Sequence, residues 1–423
     1  MRYGTFGLEH KLMTIRTLET ETTTRFERRK EEILRAACIL FNRNGLRDTT
    51  LAVVAAEIGL NLKSLRYYFE KREDLVSAAF LESIRLHQEL AEEALSVEPF
   101  DQRIRHFVRS YFLLQAKVRK GERPEFVHFG DLRALTEPHR TIVGAAYVDM
   151  FRQLRRLFKS SELSWSGAAR SANAHLLLSQ LLWSVIWIEG YVPEDFPRVA
   201  DRMSDILING LTTETIDVSG LSLGIATPFI DSDRLSQETF LRTATHLINE
   251  VGYRGASVDS ITESLGVTKG AFYHHNETRD GLVLACFERT FGIVRQAQDL
   301  AMSHKMDGLA RLVAATAALI NRQLSPEGAL LRTSALTAIG PQLREEMERR
   351  LAVLTWRFSD MINDAMIDSS VRVCDIRIAS EMVTAAINAA QELQRWVRDV
   401  DATNAADLYI RPLFEGFMVS RSA

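Results

Sequence analysis

Residues 33 to 80, ILRAACILFNRNGLRDTTLAVVAAEIGLNLKSLRYYFEKREDLVSAAF, align without a gap on residues 240 to 287, FLRTATHLINEVGYRGASVDSITESLGVTKGAFYHHNETRDGLVLACF, at an offset of 207. The two stretches are identical at 14 of 48 positions. Repetition at a fixed spacing constrains a fold more than any local propensity, because both copies must build the same supersecondary unit. A fainter echo, ILINGL at 206–211 against PLFEGF at 412–417, keeps almost the same offset, 206. Two matches at nearly one spacing imply that a whole unit of about 200 residues was duplicated, not a motif alone.

The 423 residues are enough for two to four domains, each with its own core. Residues 1–24 read as a polar, poorly ordered lead-in, and residues 212–233, rich in Thr, Ser and Gly without helical period, as a linker. The expected organisation is a first head at 25–80, a first helical domain at 81–211, a second head at 234–287 and a second helical domain at 288–423. Apolar residues recur at helical spacing throughout, as in FDQRIRHFVRSYFLLQAKVRK, and no alternating strand pattern stands out, so the fold class is all-α. The net charge is −3, so affinity for nucleic acid has to come from local clusters. Cys38, Cys286 and Cys374 lie far apart in apolar contexts and read as buried thiols, with neither a metal nor a disulfide implied. No window is long and apolar enough for a membrane span, and the expected compartment is the cytoplasm.

The repeated stretch has its own logic. In the second copy a helix runs from about Ser236 to Glu250 and ends at Gly252; Ser257 caps a short helix, VDSITESL; Gly266 makes a turn; Thr268 caps the next helix. The first copy supplies Gly45, the cap Thr50, the turn Gly59 and the cap Asn61. Two short helices joined by a glycine-bearing turn make a helix-turn-helix. Leu65 and Phe272 take the inward position of each third helix. Lys63, Ser64, Arg66 and Tyr67 then point outward in one copy, and Lys269, Gly270, Tyr273 and His274 in the other. Such groups suit phosphate oxygens and base edges.

At these residues the chain resembles the DNA-binding region of TetR-type (TetR/AcrR) transcriptional regulators, in SVDSITESLGVTKGAFYHHNETRDGL and again in TLAVVAAEIGLNLKSLRYYFEKREDL. The resemblance implies, in each half, a helix-turn-helix head followed by a larger helical domain that binds an effector and dimerises. It implies backbone phosphate contacts from Thr50, Ser257, Arg72 and Arg279. Groove contacts are implied for Asn61, Lys63, Ser64 and Tyr67, and for Thr268, Lys269, Gly270, Tyr273 and His274. The sequence departs from the family pattern at Lys63, at Arg66 in place of a tyrosine, and at Asn276 in place of a phenylalanine. From Arg25 to Arg72 there are 11 basic and 6 acidic residues, and from Arg234 to Arg279 there are 5 and 5, so the first head is expected to grip DNA harder.

The last two helices of each half, expected near 166–191 with 195–211 and near 375–398 with 404–418, would form the family's four-helix interface inside one chain. The expected partners are double-stranded operator DNA, a small-molecule effector and, for each half, the other half; further homodimerisation stays open. Repression on an asymmetric operator is expected, with a helical ligand-binding or scaffold module as the alternative. Candidate effector-pocket residues are Phe126, His128, Phe129, Tyr147, Phe151, Trp183 and Trp187, the two Trp standing at i and i+4 on one helix face. No cofactor is implied. Gly220 to Gly224 fits G-x-S-x-G, but that motif needs a strand before it and a helix after it, so no enzyme is expected.

Overall fold

The computed structural model describes residues 6–129, 132, 135–161, 163–217, 223, 237–268, 278–325, 328–401 and 403–418. Among the described residues there is no strand, and no helix is long and apolar enough to cross a membrane. The chain divides into two compact units, one of Met1–Ser83 with Pro124–Phe129 and Leu135–Val143, the other of Ile84–Arg123, Gly130–Ala134 and Gly144–Ala423. The first head is therefore a unit with two short segments of its own half, whereas the second head shares one unit with both helical domains.

The first unit begins with α1 (Phe6–Asp48), whose helical geometry breaks at Gly45. Helix α1 thus begins upstream of residue 25, where the first head was expected to start. The sequence holds neither glycine nor proline between Leu8 and Asn44, so nothing local stops the helix from extending upstream. Helices α2 (Leu51–Glu57) and α3 (Leu62–Arg66) follow, and α4 (Arg72–Leu95) opens behind them. The core of this head is Ile33, Ala37, Leu40, Val54, Leu65, Leu75 and Phe80, all buried.

In the second unit come α5 (Phe100–Arg119), α6 (His139–Arg156) from Gly144 onward, α7 (Gly167–Trp187) and α8 (Phe196–Asn209). Phe196, Val199, Ala200, Met203, Ile206 and Leu207 form one stripe of α8, and it packs along α5. The second half repeats the order with α9 (Gln237–Gly255, broken at Gly252), α10 (Val258–Leu265), α11 (Arg279–Ser303), α12 (Gly308–Leu324), α13 (Pro341–Ile367), α14 (Ile376–Ala389), α15 (Leu393–Trp396) and, after a π-helical turn over Ala406–Ile410, α16 (Arg411–Glu415). Phe240, Ala244, Ile248, Ile261, Leu282, Val283, Cys286 and Phe287 make one core for the second head and α11. Each large apolar side chain taken from water there contributes about 1.5–3 kcal/mol.

Helices α7 and α14 are buried on nearly all sides and pack on each other. Gln180 Nε2 donates to Met382 O at 3.1 Å and Trp183 Nε1 to Glu381 Oε2 at 2.9 Å. The faint ILINGL/PLFEGF echo comes together in space. Leu211 N donates to Phe414 O (2.6 Å), Phe417 N to Leu207 O (2.9 Å) and Met418 N to Ile208 O (3.1 Å). Gly210 and Gly416, 206 residues apart, sit backbone against backbone with φ of 69° and 82°. A β-carbon on Gly210 would fall on the Phe414 carbonyl, and one on Gly416 on the Gly210 amide. Only glycine fits both the left-handed backbone and that approach. Around them Arg372 Nε donates to Gly210 O at 2.7 Å, and the buried Glu415 accepts from Ile216 N at 2.9 Å.

The three thiols are unpaired; Cys38 and Cys286 are buried and Cys374 is half-buried, and burial pushes them up to about 12, 11 and 11 respectively. They remain protonated at neutral pH and act as small apolar groups.

Candidate DNA-binding and ligand sites

The first head positions its reading helix with two caps. Thr50 Oγ1 accepts from Val53 N at 3.3 Å and starts α2, while Asn61 Oδ1 accepts from Ser64 N at 2.8 Å and starts α3. Leu65 is wholly buried, so the helical period turns Lys63, Arg66 and Tyr67 to the opposite side, where all three are exposed, Tyr67 by 76%. Ser64 is half-buried, and Thr50 and Asn61 are exposed. Tyr67 is nevertheless held: its ring meets Phe26 edge-on at 5.7 Å and Tyr68 at 5.4 Å, and Phe26 stacks on Tyr68 at 4.9 Å. An aromatic cluster thus fixes the end of α3 on α1 and leaves two cations and a phenol facing outward. That is a surface of donors for phosphates and base edges.

Arg72, half-buried at the opening of α4, is held by the first head itself. Its Nε donates to Thr49 O at 3.0 Å, its Nη2 to Leu46 O, and its Nη1 lies 3.3 Å from Glu73. Carbonyls at the end of α1 and before α2 attract the guanidinium inward. Thr49 completes the clamp, its buried Oγ1 donating to Leu40 O at 3.2 Å and Gly45 O at 3.0 Å.

In the second head, half-buried Ser257 accepts from Ser260 N at 3.0 Å and caps α10, and Gly266 ends it in the left-handed region. Thr268 is exposed. Thr278 caps α11, accepting from Gly281 N at 3.0 Å. Lys269, Gly270, Tyr273 and His274 lie outside the described residues, as do the Arg279 side chain, most of the 212–233 linker and the G-x-S-x-G serine.

The structure adds a pair of residues that the motif reading passed over. Asn42 Nδ2 donates to Phe126 O at 2.9 Å while its Oδ1 accepts from His128 N at 3.1 Å. Asn249 does the same in the second half, to Leu330 O at 2.8 Å and from Arg332 N at 3.1 Å. In each half, then, an asparagine on the first helix of the head clasps the backbone of a segment that precedes the sixth or thirteenth helix. These asparagines are among the 14 identities of the repeat, and identity at a polar, inward position was the signal that could have found them.

A cavity of about 50 Å³ lies in the second half. Phe287, Phe291, Leu351, Leu354 and Phe358 give it apolar walls, and Trp183 reaches it from α7. Its polar lining is occupied: Gln323 donates to Ile387 O (3.0 Å) and accepts from Leu330 N (2.9 Å), and Thr290 Oγ1 donates to Cys286 O and accepts from Leu331 N, both at 2.9 Å.

Of the seven aromatic residues singled out as a pocket, Trp183 lines this cavity and the others stand elsewhere. In the first unit Phe129 stacks with Phe80 at 6.5 Å, and Phe126 is edge-on to the exposed His128 at 6.4 Å. In the second, Phe151 stacks on Trp396 at 3.7 Å, Tyr147 lies 6.1 Å from the same indole, and Trp187 contacts Phe112 and Tyr191.

The capped helix-turn-helix of the first head, and the capped α9–α10 pair of the second described as far as Thr268, point to helix-turn-helix proteins. The sequence pattern of the family described as bacterial regulatory proteins, tetR family, matches residues 33–79 and 240–286. The Transposon Tn10 TetC protein of Escherichia coli is 40% identical over 60 residues, 12% of this chain and 30% of that protein, so the chain matches under a third of that relative's length. Among solved structures, apo AibR is 17% identical and covers 43% of this chain and 100% of its own at a TM-score of 0.36; PfmR, a TetR family transcriptional regulator from Thermus thermophilus, is 20% identical and covers 41% and 92% at 0.35. The chain therefore carries the DNA-binding region of the tetR family twice, at residues 33–79 and 240–286. Members of that family are DNA-binding transcriptional regulators.

Proposed function

We propose that the chain is a DNA-binding transcriptional repressor that works as a single-chain pseudo-dimer on an asymmetric operator and is released by a small-molecule effector. One observation carries the reading: two helix-turn-helix units occur in one chain whose repeated last helices meet, Gly210 against Gly416. The α7–α14 packing and the cross-hydrogen-bonds of α8 with α16 support pairing of the halves within the chain. An interface that buries two glycine backbones against each other leaves no room for a second copy at that place.

DNA contacts are assigned to Thr50, Asn61, Lys63, Ser64, Arg66 and Tyr67 in the first head. Ser257, Thr268, Lys269, Gly270, Tyr273, His274 and Arg279 serve the second. Paired heads of this kind read half-sites about 34–36 Å apart. Because Arg66 and Tyr67 in one reading helix stand where Tyr273 and His274 stand in the other, the half-sites differ. Arg72 contributes by holding α1 and α2 together, and its loss acts through the shape of the head. Repression follows the resemblance. Release follows from the clasps: a ligand that shifts residues 330–333 shifts Asn249, and with it the first helix of the second head.

The test is a gel shift with DNA flanking the chain's own gene at several salt concentrations, run beside a light-scattering mass measurement. Specific retardation that weakens steeply with salt, from a species of 47.9 kDa, is expected. Retardation that is indifferent to sequence, or a species of twice that mass as the DNA-binding form, overturns the proposal.

A further inference from the structure

We infer that the outer face of α13 is a docking surface for a second copy of this chain, met antiparallel about a two-fold axis that passes between Val353 and Trp356. The association itself does not depend on the reading of the chain as a DNA-binding regulator; its consequence for operators rests on that reading.

Along α13 the residues Arg349, Val353, Trp356, Asp360, Asn363 and Ile367 follow one another at steps of three and four. At about 100° per residue they fall within about 40° of one line down the helix. All of them are exposed, Trp356 by 63%, Val353 by 50% and Ile367 by 75%. The other side of the helix is ordinary core, with Met347, Leu354, Phe358, Met361 and Ile362 buried. A single exposed aliphatic residue needs no explanation. A tryptophan that shares its open helix face with apolar neighbours has the composition of an interface centre, where tryptophan is enriched.

The charges on α13 sort in the same way. Arg350 pairs with Glu288 and Arg357 with Asp299, both on α11, and Arg357 Nε also donates to Gln298 Oε1 at 3.0 Å. Those cations belong to the flank that packs on the rest of the chain. On the outer face neither Arg349 nor Asp360 has an ion-pair partner among the described residues, and Arg349 Nε reaches only the Glu345 carbonyl, at 3.4 Å.

The order of these residues selects the occupant. Arg349 lies four residues before Val353, and Asp360 lies four residues after Trp356, so the face has symmetric spacing with opposite charges at its ends. An isologous antiparallel pair then seats each Trp356 beside the partner's Val353 and each Arg349 opposite the partner's Asp360. A parallel pair would set Arg349 against Arg349. The antiparallel register also brings Glu346 level with Asp364 at the edge of the contact, and that repulsion subtracts from it. A face one helix wide falls short of the about 800 Å² per partner of a standard stable interface. The association is therefore weak, and the 47.9 kDa chain remains the DNA-binding form at the dilution of a gel shift. Where two operators lie on one DNA the local concentration is higher, and a pair of chains with four heads would join them.

Sedimentation of the full chain without DNA, over about 1–300 µM, tests this. The average mass is expected to rise from 47.9 kDa towards twice that value, with a Kd of about 10–100 µM. Trp356→Asp is expected to weaken the association at least tenfold at unchanged helical circular dichroism, since the side chain it replaces is exposed. Arg349→Asp and Asp360→Arg each set like charges opposite one another and are expected to weaken it about threefold or more, while the double exchange restores it. A chain that stays at 47.9 kDa throughout, association undiminished by Trp356→Asp, or a double exchange no better than either single one overturns the inference. Because no DNA is present, failure here leaves the gel-shift result standing, and a failed gel shift leaves the association standing.

Discussion

In the first half Phe151 is covered by the indole of Trp396, whereas in the second half Leu354 and Phe358 line a cavity of about 50 Å³. The helices that frame them run in the same order and at nearly the same spacing. The comparison teaches that a duplicated helical scaffold carries unlike side-chain arrangements in its two halves. The junction behaves in the opposite way. Gly210 and Gly416 face the same steric demand and both remain glycine.

That contrast can be broken or sharpened by experiment. The largest effect is expected at the junction: Gly210→Val and Gly416→Val should each cost more than about 3 kcal/mol, since a left-handed backbone and a close backbone approach are both violated. Denaturant unfolding measures it, and a tolerant member of the pair would show that the junction is not symmetric. Next comes the buried His175 on α7. Burial, joined by Arg332 and only partly opposed by Glu392, holds its imidazole down at about 4, below the ordinary value of 6.5. The folded state thus resists protonation that the unfolded chain accepts below 6.5, so stability is complete above that pH and falls as pH drops from 6.5 towards 4. The loss amounts to about 3 kcal/mol. Melting curves of His175→Met should lack that part of the acid dependence, and an unchanged slope would contradict it.

Trp396→Ala is expected to cost about 2 kcal/mol by removing the stack on Phe151 and Tyr147. If it costs nothing, Trp396 does not cover Phe151 in solution. The smallest effects concern DNA. Lys63→Ala and Arg66→Ala should each lower the slope of log affinity against log salt by about one. Lys269→Ala should lower it by about one as well, from a head whose stretch carries 5 basic residues against the first head's 11. Equal total slopes for the two isolated sets of substitutions would remove the expected inequality of the heads.

Much of the heads is legible in the sequence because caps, turns and short helices are local. Ser257 with Ser260, Asn61 with Ser64 and the burial of Leu65 each follow from residues within a few positions. The lead-in is polar, and polarity suggests lack of structure, yet a run free of glycine and proline sustains a helix. The place of Arg72 in a motif suggests a DNA contact, but its guanidinium answers to carbonyls of Leu46 and Thr49. Aromatic spacing likewise draws attention to Tyr147, Phe151 and Trp187, and such spacing cannot distinguish a pocket wall from a filled core. The asparagine clasps are visible in the sequence only as two aligned residues at one identity among fourteen.

The sequence by itself determined that this protein is helical and carries the tetR family's head twice in unlike sequence, since this is written in periods and spacings a few residues to 207 residues long. Only the tertiary structure decided which side chains line the cavity of the second half, which carbonyls claim Arg72, and that Gly210 lies on Gly416. Those outcomes depend on groups far apart in the chain meeting at a few ångströms, where volume and backbone approach decide, and no local pattern records that meeting.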